Sequence, residues 1–440
     1  MLVLISALVG PSALMEPIAG DTPAGSRLDV GWPYLLLAPA FNVLDTLSLL
    51  TINQHYAVLA TLIATFVVWR LVRRRKPLGW LRRLGTEVGV AALSLAGLLA
   101  FYGFGMVGHR PMAALATDSP DDLIVDFHSH TEHSHDSRDG FTAADRREWH
   151  ASAGFHAAYI ADHRTYQGYS DAAPDNPERA GEGTVLLPGL EIKYAGKYAS
   201  VLGPAWRYRN AMDGNDLIAD SLYRSLERGA PRPTLVLTIP GGLDSIPANT
   251  NDSIGYVAVE VNDAAPRGLE QGRRDRQIIL DLADSLDLAL VASSNSHGWG
   301  RTAAAWTVMT IPGWQSMTPL RLSQAIEERL HRYRGEATRV VERRMPYAGS
   351  SIPALAVTVP AITWQMMGGL RLPERVSWLA WVWALALIPA AIRRRRARKT
   401  TTDTRRASEP APAPNVAPDP PADPATDPAA AVDPAPSPAP

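Results

Sequence analysis

The chain contains no cysteine among its 440 residues. That excludes a disulfide framework, a thiolate metal site and a cysteine nucleophile, and leaves His, Asp, Glu and Asn as the side chains able to hold a metal. A surplus of charge is also lacking. The 43 Lys plus Arg stand against 44 Asp plus Glu, so the chain as a whole exerts no electrostatic pull on nucleic acid, and none is expected as a partner. Histidine is scarce, and its copies are unevenly placed. Four of the eleven fall in the eight positions from His128 to His135, inside the stretch DFHSHTEHSHDSRDG.

The apolar residues are clustered too. HYAVLATLIATFVVW (His55 to Trp69) and EVGVAALSLAGLLAFYGFGMVG (Glu87 to Gly108) each approach the length of a bilayer-crossing helix, with spans expected near 55–71 and 87–108. Between them RLVRRRKPLGWLRR carries seven basic residues and no acid. A solvated turn of a buried hairpin would mix both signs, whereas a one-sided basic loop marks the cytoplasmic face of a membrane. A third apolar run, VSWLAWVWALALIPAAI (Val376 to Ile392), leads straight into RRRRARK, again a cytoplasmic flank. The two inferences agree. Residues 1–110 form a membrane region, residues 119–345 an extracytoplasmic domain, and residues 346–375 a connector to the last span, in a multi-pass plasma (inner) membrane protein.

Within 1–50 a further span is open: MLVLISALVGPSALM, or YLLLAPAFNVLDTLSLL, whose Asp45 also suits a re-entrant or interfacial piece. IPALAVTVPAITWQMMGG (Ile352 to Gly369) is apolar, but its two prolines weaken a helix and it is read as non-spanning. After the basic stop, the segment to Pro440 is Pro, Ala and Asp with almost no large apolar side chain. It cannot bury enough surface to offset its ordering entropy and reads as a disordered cytoplasmic tail.

From Asp121 onward, short β-branched runs alternate with amphipathic stretches. LIVDFH, AAYIADH, TVLLPGLEIKY, TLVLTIP, YVAVEVN, LALVASS and AAWTVMTI read as strands, and TAADRREWHASA, GNDLIADSLYRSLERG, RRDRQIILDLADSL and TPLRLSQAIEERLHRY as helices. Such an alternation predicts an α/β fold on a parallel sheet, with function gathered where strands end. The His-rich loop follows the first strand, Asp162 and His163 end the second, Glu191 lies in the third, and Asn295 and His297 follow a late one. Metal-capable groups at four separate strand ends are a poor match to chance.

These residues resemble the PHP domain, named for polymerase and histidinol phosphatase. Its D-x-H-x-H-T motif is matched by Asp126, His128, His130 and Thr131, followed by Ser134, His135 and Gly140. Its T-D-H strand end appears as Ala161, Asp162 and His163, its P-G-x-E as LPGLE ending in Glu191, and its S-D-x-H as Ser294, Asn295, Ser296 and His297. The resemblance covers about Asp121 to Arg344. It implies a distorted (β/α)7 TIM-like barrel, here flanked by transmembrane helices, that hydrolyses phosphate esters with divalent metal ions such as zinc, manganese or iron. Carried over, His128, His130, Glu191 and Asn295 would bind one ion, and His135, His163 and His297 another, with Asp136 able to stand in for His135. The chain departs from the family in having no histidine between His163 and His297, with Ile239 where a further ligand is expected. One or two ions per chain are therefore expected.

The chemistry also follows from the residues alone. Imidazoles and a carboxylate at one rim fix a cation, and water bound to it ionises near neutral pH and attacks a phosphorus or carbonyl centre. Arg164, Lys193 and Arg301 are candidates to neutralise a phosphate, and Asp162 to orient a ligand or move a proton. Glu260 is a candidate ligand or a hydrogen-bonding support for one. His133 is read as a solvated loop residue, His150 and His156 as structural, and Trp299 and Trp306 as packing. Three functions stay open: a phosphoesterase acting on a small or lipid-linked substrate, a hydrolase of carboxylic esters or amides, and a metal- or ligand-binding sensor without turnover.

Because the chain has no cysteine, single introduced thiols report topology directly. A membrane-impermeant maleimide is expected to label Asp175→Cys in intact cells, and Lys76→Cys only after permeabilisation; the reverse pattern would invert the orientation.

Overall fold

The computed structural model describes residues 1–73, 79–194, 197–218, 233–239 and 256–408. The helix expected over 214–229 lies largely outside them, as do the centre of the basic loop and the Pro-rich tail. The chain divides into two compact units, Met1–Val382 and Trp383–Pro440; the described part of the second is helical through Ser408.

Three helices are long and apolar enough to cross a membrane: Ile52–Val72 with 21 residues, Trp80–Val107 with 28, and Leu372–Arg394 with 23. At about 1.5 Å rise per residue, 21 residues match a hydrocarbon core of about 30 Å. Leu62, Ile63, Val67 and Val68 stand exposed on the first and Leu93, Leu95 and Leu99 on the second, an arrangement suited to lipid. Thr51 and Gln54 form a reciprocal cap at the start of the first helix. Beyond the end of that helix's apolar run, Arg70 donates two 2.8 Å hydrogen bonds to Glu87 of the second.

The open segments of the N-terminal region are now assigned. The first is a helix of only eight residues, Leu2–Val9, too short to span. Tyr34–Leu50 breaks into helices Trp32–Leu36 and Ala38–Ser48. Asp45, on the latter, is buried and accepts hydrogen bonds from Tyr34 Oη, Thr302 Oγ1 and Arg343 Nη1, each at 3.0 Å, beside Arg110 Nη1 at 2.7 Å. Burial opposes its charge, but Arg343 and Arg110 outweigh that and hold the carboxyl below its usual range. The expectation that two prolines weaken Ile352–Gly369 needs correction. Ile352–Gly368 is a continuous helix, because Pro353 occupies the first turn, where a missing N–H costs nothing, and Pro360 alone removes one internal bond.

The strands are β1 (Leu14–Met15), β2 (Ser26–Asp29), β3 (Ala114–Thr117), β4 (Asp122–Ser129), β5 (Ala157–Ile160), β6 (Val185–Tyr194), β7 (Lys197–Leu202), β8 (Met212–Asp213), β9 (Asp216–Leu217), β10 (Thr234–Leu237), β11 (Tyr256–Asp263), β12 (Ala289–Ser293), β13 (Ala305–Thr310) and β14 (Arg339–Arg343). Ten of them form one sheet in the order β1-β14-β13-β4-β5-β6-β7-β10-β11-β12. The sheet is mixed rather than parallel. β4, β5 and β6 are parallel, as are β10, β11 and β12, but β6–β7–β10 and β4–β13–β14 run antiparallel. Only two residues separate β6 from β7, too few for a crossover, so a hairpin is forced there.

The ten-stranded sheet departs from the expected seven-stranded barrel in strand count, while it keeps the α/β character and curls on itself. Its far strand β12 comes back to β13, where Thr307 Oγ1 accepts from Ala292 N at 2.8 Å and donates to Ala292 O at 3.1 Å. Leu123, Val125, Phe127, Tyr159 and Leu187 pack with Leu322, Ile326 and Leu330 of the helix Pro319–Tyr333 in one core layer. Trp306 is wholly buried and donates to Ala153 O at 2.9 Å.

His156, just before β5, stacks on Trp314 with ring centroids 4.5 Å apart and accepts a 3.1 Å hydrogen bond from Ile124 N–H at Nδ1. Burial pushes its pKa from 6.5 down to about 4. The folded state favours the neutral ring, so stability is full above 6.5 and declines as the pH falls to about 4, where the folded ring also protonates, by about 3 kcal/mol. His156→Asn keeps an acceptor but cannot titrate. Its unfolding midpoint is expected to fall less than that of the parent between pH 6.5 and 4; equal slopes would refute this account.

Candidate metal centre

In a strand, alternate residues share a face, so Asp126, His128 and His130 project to the same side from the end of β4. Asp126 Oδ1 accepts from His128 N and Ser294 N, and its Oδ2 lies 2.7 Å from His150 Nε2. This anchors β4 against the segment after β12. Asn295 N donates to His128 O at 2.9 Å and His130 N to Ser296 O at 3.1 Å, continuing the zipper to the mouth of the sheet. The buried Arg146 guanidinium donates to the carbonyls of both His130 and Ser296, clamping the two loops.

Asp162 organises the next turn. Its carboxylate accepts from Thr131 N and Thr131 Oγ1 at 2.7 Å and from Ser134 Oγ at 3.0 Å. Gly168 packs so close that any Cβ there would overlap this carboxylate. Since the Ser134 hydroxyl hydrogen is directed to Asp162, its oxygen accepts from His163 N at 3.1 Å and from His130 Nδ1 at 2.9 Å.

That last contact sets a tautomer. His130 carries its proton on Nδ1, which leaves the Nε2 lone pair facing the centre. His128 Nδ1 is likewise held by Glu260 Oε1 at 2.9 Å, and His297 Nδ1 by the carbonyl of Asn295 at 2.8 Å. Three imidazoles, each with Nδ1 committed, therefore turn their Nε2 atoms inward. His128 Nε2 and His130 Nε2 are 2.9 Å apart, and Glu191 Oε2 lies 3.2 Å from the first and 3.5 Å from the second. Ligand atoms on one zinc-like ion at about 2.1 Å are separated by about 3.0–3.4 Å. The triangle has the dimensions of a coordination face, and without a positive charge at its centre it is a cluster of repelling lone pairs.

The electrostatics agree. Burial opposes protonation of His128, yet Glu191 and Glu260 raise its pKa well above the histidine range. The same carboxylates raise its affinity for a metal cation. Burial and the adjacent His128, His297 and His163 rings hold His130 well below that range. Asn295 Oδ1 adds a fourth donor, 3.1 Å from His130 Nε2. Its φ of +37° is uncommon outside glycine, and its amide is tied at 3.0 Å to buried Asp263. Asp263, pushed up to about 7 by burial and by Glu260, is a site residue that sequence reasoning missed; only its place two residues past Glu260's neighbour in VEVND hinted at it.

A second group shares these ligands. His163 Nδ1 lies 3.1 Å from Glu191 Oε2, and Asp136 Oδ2 lies 3.4 Å from His163 Nε2 and 3.3 Å from His297 Nε2. The metal-capable sets His128/His130/Glu191, His130/His163/His297 and His135/Asp136/His163 overlap. His135 is exposed, its ring centroid 4.9 Å from that of His163, so Asp136 sits between the two histidines that His135 was expected to join.

The other expectations divide. Arg301 is engaged by Glu148 at 2.7 and 2.9 Å and by Arg110 O, contacts that brace a helix. Arg164 follows His163 at φ +59°, and its guanidinium donates to Leu217 O at 3.0 Å. Lys193 is exposed. Asp162, fully buried in its turn, orients ligands and is not placed to move protons to solvent. Glu260 supports His128 and also accepts from Ile239 N at 3.2 Å: where a histidine was expected, a backbone amide holds the supporting carboxylate. His133 pairs with Asp171 at 2.7 Å, outside the cluster.

No protein-family model and no curated protein matches the sequence. Among solved structures the chain is similar to PsfC from Pseudomonas syringae, at 16% identity over 56% of this chain and 98% of that one, with a TM-score of 0.37. It is also similar to a two-domain protein from Bacteroides vulgatus containing a predicted PHP-like metal-dependent phosphoesterase (14% identity, 51% and 66% covered, TM-score 0.33). A third is the lesion-specific endonuclease PfuEndoQ from Pyrococcus furiosus (12%, 47% and 56%, TM-score 0.32). At such values the chemistry rests on the site's own geometry.

Replacing a residue that orients a metal ligand weakens metal binding by roughly 10- to 100-fold. Glu260→Gln is expected to lower zinc or manganese affinity by that factor in a calorimetric titration; an unchanged affinity would remove Glu260 from the site.

Proposed function

We propose that this chain is a membrane-anchored, metal-dependent phosphoesterase that acts outside the cytoplasm on a small-molecule or lipid-linked phosphoester. The observation that carries the reading is the convergence of His128 Nε2, His130 Nε2 and Glu191 Oε2 within 3.5 Å of one another, with the outer nitrogens of both rings already committed. His128, His130, Glu191 and Asn295 would hold one divalent ion, such as zinc, manganese or iron. His163, His297 and Asp136 would hold a second, with Glu191 Oε2 between the two sets. Cations bound there supply Lewis acidity, polarising a phosphoryl oxygen and lowering the pKa of water.

The chain's own residues do the rest. Glu260, Ser134 and the Asn295 carbonyl keep the three imidazoles in the tautomer that binds cations. Asp162 and Arg146 fix the loops that carry them. Asp136, with its side chain 45% exposed, marks the solvent side from which substrate approaches. Against burial, His297 and His163 hold its carboxyl below the usual range, so it is ionised at neutral pH. Two cation sites with the Glu191 carboxylate between them would suit in-line displacement at phosphorus, where attacking and leaving oxygens both need charge compensation.

Purified full-length protein in detergent, assayed with manganese or zinc, is expected to hydrolyse p-nitrophenyl phosphate or bis-p-nitrophenyl phosphate, and His128→Ala to fall to the rate without enzyme. Turnover of p-nitrophenyl acetate with neither phosphoester cleaved would replace the reading by an ester hydrolase. Bound metal with no turnover on any of the three would point to a sensor.

A further inference from the structure

A cavity of about 330 Å3 lies away from the metal cluster and shares none of its residues. It lies at the domain-side ends of the long apolar helices. Leu49 precedes Ile52–Val72, Ala113 follows Trp80–Val107, and Leu370 precedes Leu372–Ser408, and all three line it. The volume is at the lower end of ligand cavities, roughly 300–1,000 Å3.

Its wall is cationic. Arg27, Arg343, Arg344 and Arg371 face Asp45 and Glu374. Part of this charge is matched, Arg27 by Asp118 and Arg371 by Glu374 and Asp29. Asp45, however, serves both Arg343 and Arg110. Arg344 has no carboxylate partner among the described residues and donates to the Gly20 carbonyl. Across these pairings five guanidiniums meet four carboxylates, so one positive charge remains uncompensated. The side chain of Arg343 is only 10% exposed, yet its Nε and Nη2 have no hydrogen-bond acceptor among the described residues, and neither does Nε of Arg344. Buried guanidinium donors without acceptors are costly, and their forked geometry matches the oxygens of a phosphate.

We propose that this cavity binds a phosphate-bearing anion at the membrane face of the domain, independently of the metal centre. The same chemistry is offered by the headgroup of an anionic phospholipid and by a free phosphate or phosphoester. Position at the ends of three bilayer-length helices places it within reach of the first, and the small volume admits either.

The test uses the full-length chain treated with EDTA, so that anions at the metal centre do not contribute. Thermal unfolding is followed with inorganic phosphate in detergent against chloride of equal ionic strength, and in nanodiscs of phosphatidylglycerol against phosphatidylcholine. A saturable rise in Tm in at least one arm, reduced by half or more in Arg344→Gln, supports the proposal. A rise with phosphate assigns a soluble anion, and one confined to phosphatidylglycerol assigns a headgroup. Should Arg344→Gln fail to fold, Arg344→Lys keeps the charge without the fork and is expected to bind about tenfold more weakly. No saturable rise in either arm, or a rise undiminished in the folded Arg344 variant, overturns it.

Discussion

Electron-rich ligand atoms buried side by side repel one another unless a positive charge lies between them, and the mouth of this sheet is organised around that constraint. His128, His130 and Glu191 are nearly solvent-free, so water cannot separate them. Their outer atoms are occupied by Glu260 and Ser134, so the rings cannot turn away. Desolvation makes the cluster expensive when empty of charge and selective for a cation when filled.

The supporting residues come from many elements. Asp162 follows β5, Glu260 and Asp263 lie in β11, Arg146 sits on the helix Ala143–Ala153, and the Asn295 carbonyl follows β12. Each contributes one fixed donor or acceptor. The positive φ at Asn295 and at Arg164, next to the metal-capable His163, shows where the backbone bends to complete the set. A curled sheet brings these strand ends together; a flat one of the same strand order would leave β12 far from β4.

Asp45 plays an analogous part at the other end of the domain. It joins the helix Ala38–Ser48 to Arg110 after the second apolar helix, to Arg343 at the end of β14, and to Thr302. One carboxylate thus ties the approach to the first long helix, the exit from the second and the last strand of the sheet. This rigid junction also forms a wall of the arginine-lined cavity.

Much was legible in the sequence because its signals are local. Helix length and apolarity are set within about twenty residues, so Ile52–Val72 and Trp80–Val107 stand where hydropathy places them. The alternation of His128 and His130, and the motifs ending in His163, Glu191 and His297, likewise pointed to metal-capable side chains that the fold does bring together. Strand direction was less legible. The antiparallel turns at β6–β7 and β13–β14 depend on pairing across the sheet, and the parallel alternation expected from the pattern holds only in two three-stranded blocks. Proline in Ile352–Gly368 misled because its effect depends on position within the turn.

By itself, then, the order of amino acids determined which side chains were available for metal chemistry and which stretches were apolar enough for lipid, since both are properties of short segments. Only the tertiary structure decided that Arg301 braces Glu148, that Asp136 lies between His163 and His297, and that Asp263 holds Asn295. Those pairings join residues 27 to 161 positions apart in the chain, and the distances between them are set by how the sheet curls.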